Sequence, residues 1–336
     1  VSQTQPQPQQ RRMTTPKLDL RLDLNGSLYC ISSYFNPLGL ISRYENFCVF
    51  YQRMMQHNAN MLFAEQALHE RGFQLPEIIN ENQLPVRVIS DNILWQKENL
   101  LNLLLDHLPD DCDKVCWIDS DILFQTDDWQ SEIYDALQKY RVVQGYSFAA
   151  MLPKGVEFVD AIDINSFPLR FDDCSRVYSY MCGQLQPDIQ QGNGHTGFVW
   201  AARREVLEEM RFYNESIMGG ADLLMARAVT YHHYSPDLCE RLCRFQLASY
   251  FPWAQAWCEK VGFSIGYVPN VLYHLFHGKM ANRNHEARLK TLKDLDYDPN
   301  LDLKMNDNGL WIVTKEGERL LTPVRNYFIS RQEDEV

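Results

Sequence analysis

The chain has 336 residues, 45% of them apolar and 12% aromatic, with 32 basic against 44 acidic side chains and a net charge of −12. That content supports a sizeable buried core and excludes global disorder, and the acidic balance disfavours a general nucleic-acid-binding face, which needs clustered Lys and Arg. No apolar run reaches the length that spans a bilayer, and no n-region with an apolar h-region marks a signal peptide. The chain opens on VSQTQPQPQQRR, and residues 1–24 are expected to be a disordered Gln/Pro-rich tail. From residue 27 strands and helices alternate. SLYCISSYF reads as a first strand that ends in the breaker Asn36-Pro37. ENFCVFYQRMMQ has helical spacing, NANMLFAEQAL contains a second strand, and LPVRVIS is a third. NILWQKENLLNLLLDHL, at 92–108, is a strong amphipathic helix with Leu100, Leu103, Leu104 and Leu108 on one stripe. KVCWID is the next strand.

This β-α-β-β-α-β order predicts an α/β fold with a mostly parallel sheet flanked by helices, binding ligands at the carboxyl ends of its strands. A helix follows at WQSEIYDALQKY, a strand at RVVQGYSF, and loop-like sequence through about residue 185. GNGHTGFVWAARREVLEEM reads as glycine-rich loop, strand and helix, and LLMARAVTYHH as a further helix after the Gly219-Gly220 turn. SIGYVPNVLYHLFHG is read as one final strand, running into the basic helix NRNHEARLKTLKDL. A single catalytic domain is expected over 25–295, with a C-terminal extension at 296–336 that contains a hairpin at GLWIVTKEGERLLTPV. The nine cysteines are scattered, several in apolar runs (Cys30, Cys48, Cys116). Buried reduced thiols in a cytoplasmic protein fit them better than a disulfide framework. Because the chain starts at Val1, a lumenal catalytic fragment of an anchored protein is the alternative.

KVCWIDSDILF, at 114–124, sets Asp119 and Asp121 at the end of a strand buried on both faces. Two unpaired carboxylates there carry a heavy desolvation cost, so a positive partner is expected, and a divalent metal supplies it. One reading has the acids bind Mn²⁺ or Mg²⁺, which neutralises the diphosphate of a nucleotide-sugar. Another makes Asp119 the nucleophile and Asp121 the general acid of an aspartyl-phosphate phosphatase. A third is a strand end with two solvated acids. VLYHLFHG, at 271–278, places His274 and His277 at another strand end, where neutral imidazoles can complete a metal site begun by carboxylates. Lys279, Asn282, Arg283 and Arg288 follow as a basic cluster suited to an anionic diphosphate. In GGAD, at 219–222, Gly219 and Gly220 allow close backbone approach to a ligand. Asp222 is there either a catalytic acid or a helix N-cap. Gly197 and Trp200 could wall a sugar ring, or Trp200 could be core.

Taken together, these residues resemble the GT-A superfamily of nucleotide-sugar-dependent glycosyltransferases. The resemblance rests on the strand-borne Asp119-Ser120-Asp121, the Gly-rich segment ending in GGAD, and the late strand ending in His; it covers about residues 27–295. The HxxHG…NR…R ending is also similar to that of viral and bacterial glycosyltransferases. It implies a GT-A-like, Rossmann-like fold, a metal-dependent transfer from a UDP-sugar to a hydroxyl acceptor, and Mn²⁺ or Mg²⁺ as cofactor. It implies Asp119 and Asp121 on the metal and ribose side, His277 and then His274 as the late ligand, and Asp222 as the base of an inverting reaction. It further implies Tyr34 and Asn36 near the nucleotide base, with Lys97 and Asn102 facing the donor. The familiar Golgi members carry a membrane anchor, which this sequence does not show. A nucleotidyltransferase, or a non-catalytic glycan- or nucleotide-binding module, is the further alternative.

Overall fold

The computed structural model describes residues 26–76, 85–156, 173–184 and 194–334. The expectation for the tail at 1–24 falls outside these residues, as do residues 157–172 of the stretch read as loop-like, whose described part instead carries a strand at Phe148–Met151 and a short helix at Arg176–Met181. Strands β1 (Ser27–Phe35), β2 (Met61–Leu68), β3 (Val86–Ser90) and β4 (Cys112–Ile118) are mutually parallel and form one half of a seven-stranded sheet. The sheet order is β3-β2-β1-β4-β8-β6-β9, with β6 at Val142–Gln144, β8 at Val199–Arg203 and β9 at Ile265–Tyr267. Only β8 runs against its neighbours. A single domain built on a mostly parallel sheet is therefore what the chain forms.

Side-chain alternation along the central strands explains why both faces are covered. On β4, Val115 and Trp117 point into one core while Cys116 and Ile118 point into the other. The second core is closed by α1 (Ile41–Gln56) and α3 (Trp129–Lys139), through Phe47, Phe50 and Met54 and through Trp129, Ile133 and Leu137. The first is closed by α2 (Lys97–Leu105), α5 (Arg204–Met210), α6 (Ala221–Val229) and α8 (Arg244–Val261). The short helices α4 (Arg176–Met181) and α7 (Pro236–Arg241) complete the middle of the chain. All nine cysteines are free. Among the described residues no helix is long and apolar enough to cross a membrane.

The two longest expected strands after residue 140 each break in two, and the break builds the site. RVVQGYSF divides into β6 and β7 (Phe148–Met151) around Gly145, where an added Cβ would lie 2.5 Å from a Val199 methyl. SIGYVPNVLYHLFHG divides into β9 and β10 (Val271–His274). Asn270 ties the two breaks together: its carbonyl accepts from Ser147 N and Oγ at 2.8 and 2.9 Å. The second halves pair in a small sheet, β5-β10-β7, whose third strand β5 (Ile122–Phe124) follows directly on Asp121.

Two further expectations are corrected. The helix read from residue 92 begins at Lys97, because Trp95 N donates to Ile217 O and the Gln96 side chain to Trp311 O. The hairpin expected at 309–324 is instead β11 (Leu303–Met305) with β12 (Trp311–Val313). Its second half coils into a 3₁₀ turn at Glu316–Leu320 and then α11 (Leu321–Ser330), burying Leu320, Val324, Tyr327 and Phe328 at helical spacing. The helix α8 carries no expectation from the sequence, although Tyr250, Ala254, Trp257 and Val261 mark one face. With α9 (His285–Asp294) and α10 (Pro299–Asp302), the segment beyond residue 296 packs into the first core through Tyr297, Leu303, Leu310 and Phe328.

Trp129 anchors the end of β5: its ring stacks on Phe124 at 4.1 Å and 1°, and its Nε1 donates to His57 Nδ1 at 2.7 Å. Trp129→Ala is expected to cost about 3–5 kcal/mol in urea unfolding. A loss under about 1 kcal/mol would show that β5 is held without this stack.

Candidate active site

A cleft of about 460 Å³ opens at the carboxyl ends of β1 and β4. Its floor is the turn after β4. Ser32 Oγ, buried on β1, donates to Ile118 O at 2.7 Å, and Asp119 N donates to Phe198 O at 2.9 Å. Phe198 N in return donates to Asp119 Oδ2 at 3.2 Å. Phe198 makes that contact at φ +78°, a costly backbone region for a bulky side chain. Its ring lies against the His274 imidazole at 5.0 Å.

Sheet register brings together the atoms that could ligate a metal. His274 pairs with Ile122 across β10 and β5, and Leu275 N donates to Asp121 O at 2.9 Å. Asp121 Oδ2 then lies 2.9 Å from His277 Nε2 and 3.6 Å from His274 Nε2, and the two imidazole nitrogens are 3.2 Å apart. These three ligand atoms fall within 4.8 Å of one another. Asp121 Oδ1 is buried with no hydrogen-bond partner among the described residues. Arg283 Nη2 reaches only one of these atoms, His277 Nε2 at 2.9 Å, and leaves the orphaned oxygen unserved; a divalent cation can engage the carboxylate and the imidazoles together. The donor set therefore fits a metal ion, and two imidazoles favour Mn²⁺ over Mg²⁺.

Electrostatics separates the two acids. Burial raises the Asp119 carboxyl to about 6, against the pull of Lys97, with Asp222 and Asp121 adding to the rise. Burial acts on Asp121 too, but His274, His277 and Arg283 outweigh it and hold that carboxyl well below the usual range. Burial lowers His274 to about 3, so its imidazole is neutral near pH 7 and available as a ligand. Lys97, the first residue of α2, bridges Asp119 Oδ1 at 2.5 Å and Asp222 Oδ1 at 3.0 Å. Glu98 beside it is raised to about 8 by burial.

Asp222 lies in the first turn of α6, but Gly220, at φ +101°, is the N-cap, and no side chain caps the helix. The capping reading of Asp222 is thus not what the chain does; its carboxylate turns to Lys97. Gly197 keeps the approach open, since a Cβ there would lie 3.5 Å from Asp222 Oδ2 and 3.6 Å from Asp119 Oδ2. At Gly219 and Gly220 a Cβ would press on Arg288 at 3.1 and 3.2 Å. The pair of glycines makes room for that guanidinium.

Tyr34, Arg283 and Arg288 line the same cleft. Besides Gly219, five residues singled out from sequence lie outside its lining. Asn36 binds Leu40 N and O and holds the turn from β1 into α1. Asn102 brackets the Phe212 backbone, donating to its O and accepting from its N. Trp200 is core, stacked on Trp117 at 8°. Lys279 is exposed, and Asn282 donates to Gln332 Oε1. Sequence reasoning missed Arg43, Trp95, Phe198 and Arg331 on the cleft wall. It also missed Glu333 behind it, 3.7 Å from His277 Nδ1. Only Phe198, a bulky residue after glycine at a strand entry, left a local signal.

No protein-family model matches the chain, and no curated protein matches it. Among solved structures, the catalytic domain of Drosophila β1,4-galactosyltransferase 7 in complex with xylobiose aligns at 11% identity and TM-score 0.33. That alignment covers 62% of this chain and 60% of that one, so the chain spans about 60% of its length. Glucosyl-3-phosphoglycerate synthase from Mycobacterium tuberculosis, in complex with Mn²⁺, UDP and phosphoglyceric acid, aligns at 11% identity and TM-score 0.41 over 86% of each chain. Its complex with Mg²⁺ and UDP aligns at 12% identity and TM-score 0.39, over 80% of this chain and 78% of that one. These neighbours are glycosyltransferases, the class that the sequence resembles. Likeness at this level assigns no activity, and the reading below stands on the site's own geometry.

Glu333 is the buried hub behind His277: Arg43 Nε donates to it at 2.5 Å, and Arg331 Nε also donates to it. Burial would raise its carboxyl, but Arg43, His277 and Arg331 hold it well below the usual range. A depressed carboxyl contributes stability above its unfolded value and loses it as pH falls. Glu333→Gln is therefore expected to cost about 3–5 kcal/mol at pH 7. In urea unfolding, the gap to the unaltered protein should narrow as pH drops below about 4.5. A gap independent of pH would contradict the assignment.

Proposed function

We propose that the chain is a metal-dependent glycosyltransferase that moves a sugar, a hexose, from a UDP-sugar to a hydroxyl acceptor with inversion. The observation that carries this reading is the convergence of Asp121, His274 and His277 in one cleft with Arg283 and Asp222. Asp121, His274 and His277 would hold Mn²⁺ or Mg²⁺, with Asp119 on the ribose or metal side. Bound there, the ion supplies positive charge against the departing diphosphate. Arg283 and Arg288 supply charge-assisted donors to the same diphosphate. Tyr34, at the end of β1, faces the nucleotide side. Asp222 takes the acceptor proton, and Lys97 positions its carboxylate. Free cysteines fit a reducing compartment such as the cytoplasm.

The aspartyl-phosphatase reading is weaker on chemical grounds. Its general acid would be Asp121, whose carboxyl is held well below the usual carboxylate range, and an ionised carboxylate has no proton to give a leaving group. Its nucleophile would be Asp119, already bound to Lys97 and to Phe198 N.

The test pairs a panel of nucleotide-sugars, scored for Mn²⁺-dependent hydrolysis and transfer, with two variants. Asp121→Asn should abolish Mn²⁺-dependent UDP binding in calorimetry. Asp222→Asn should leave that binding intact and lower transfer by on the order of 10²–10⁴-fold. Hydrolysis of simple aryl phosphates would favour the phosphatase, and pyrophosphate release from a nucleoside triphosphate would favour a nucleotidyltransferase. Transfer at the unaltered rate in Asp222→Asn would remove Asp222 as the base.

A further inference from the structure

The metal-ligand cluster carries a cation of its own. Arg283 Nη2 lies 2.9 Å from His277 Nε2, the nitrogen that also faces Asp121 Oδ2 at 2.9 Å and His274 Nε2 at 3.2 Å. An imidazole nitrogen has one lone pair. While it accepts from a guanidinium it cannot ligate a dication, and the two positive charges would also repel at this range. Arg283 has capacity to spare, since its Nε is buried without a hydrogen-bond partner among the described residues. It closes the 3₁₀ turn Met280–Arg283 and precedes Asn284 at φ +43°. A diphosphate offers a guanidinium paired anionic oxygens, a better acceptor than one neutral nitrogen.

Resting on the nucleotide-sugar reading above, we propose that Arg283 is a resident cation that keeps the metal-ligating nitrogen of His277 engaged until a nucleoside diphosphate draws its guanidinium away. Metal and nucleotide then bind in concert. The metal needs the lone pair that the diphosphate releases, and the diphosphate gains the guanidinium that the metal displaces. By linkage the coupling is reciprocal: whatever factor UDP adds to the metal's affinity, the metal adds to that of UDP.

The experiment is a Mn²⁺ titration of the full chain followed by the EPR signal of free Mn²⁺, with and without UDP, for the unaltered protein and for Arg283→Gln. Without nucleotide, Arg283→Gln should bind Mn²⁺ tighter by on the order of tenfold, because the competing charge is gone. UDP should tighten Mn²⁺ binding strongly in the unaltered protein and less in the variant. Equal Mn²⁺ affinity of the two proteins without nucleotide, or an equal effect of UDP on both, would overturn the proposal. Should the unaltered protein take up Mn²⁺ in neither condition, the metal-site reading itself fails and the proposal with it. A second measurement needs no variant. In the unaltered protein the Arg283 side-chain NMR resonance should move when Mg²⁺ and UDP are added together, and a resonance that stays in place would overturn the proposal.

Discussion

Two carboxylates at the end of a strand buried on both faces govern the rest of this molecule. Asp119 and Asp121 follow β4 at the cleft, their side chains only 25% and 22% exposed, and an unpaired charge so far withdrawn from water is costly. Each acid has a different remedy. Asp119 has Lys97, which it shares with Asp222, and a backbone N–H from a strained Phe198. Asp121 has two imidazoles and a guanidinium, and still leaves one oxygen without a partner. A purely structural pair would finish the job with ordinary ion pairs. The unfinished side is where the cleft opens.

That arrangement needs parts from the whole chain. The small sheet β5-β10-β7 brings His274 to Asp121 by register alone. The last residues reach back to the start of the fold. Asp334 accepts from Ile41 N and Ser42 N, at 2.9 and 2.8 Å, and so caps α1, whose own N-cap residue offers no side chain. Glu333 holds Arg43 of that helix and stands behind His277. Arg331 lies over the Trp95 ring at 5.2 Å, beside the cleft. The C-terminal segment is thus the back wall of the cleft, and the fold's stability and the candidate site share the same side chains.

Local patterns reached a good part of this. The first four strands, α1 and α3, and the pairing of Asp121 with a late histidine were legible, because hydrophobic period and acids at a strand end are short-range signals. Single strands were read where the chain splits at Gly145 and Asn270, since a strand that changes sheets keeps its apolar period. Of the two readings of Trp200 the core one holds, and Asn102 serves packing, because a side chain's direction is set by the helix or strand face it occupies. Arg43, Arg331 and Glu333 had no local mark at all: each matters through partners remote in the chain, Glu333 and Arg43 being 290 residues apart.

The central claim is that Asp121, His274 and His277 hold a divalent cation against a nucleoside diphosphate. Anomalous diffraction at the manganese edge, from crystals grown with Mn²⁺ and UDP, tests it most directly. The account predicts one strong peak in ligand contact with the Asp121 carboxylate and at least one of the two imidazoles, touching the diphosphate, with Arg283 on the phosphate oxygens. A peak elsewhere in the molecule, or UDP bound in the cleft with no manganese at Asp121, would contradict it.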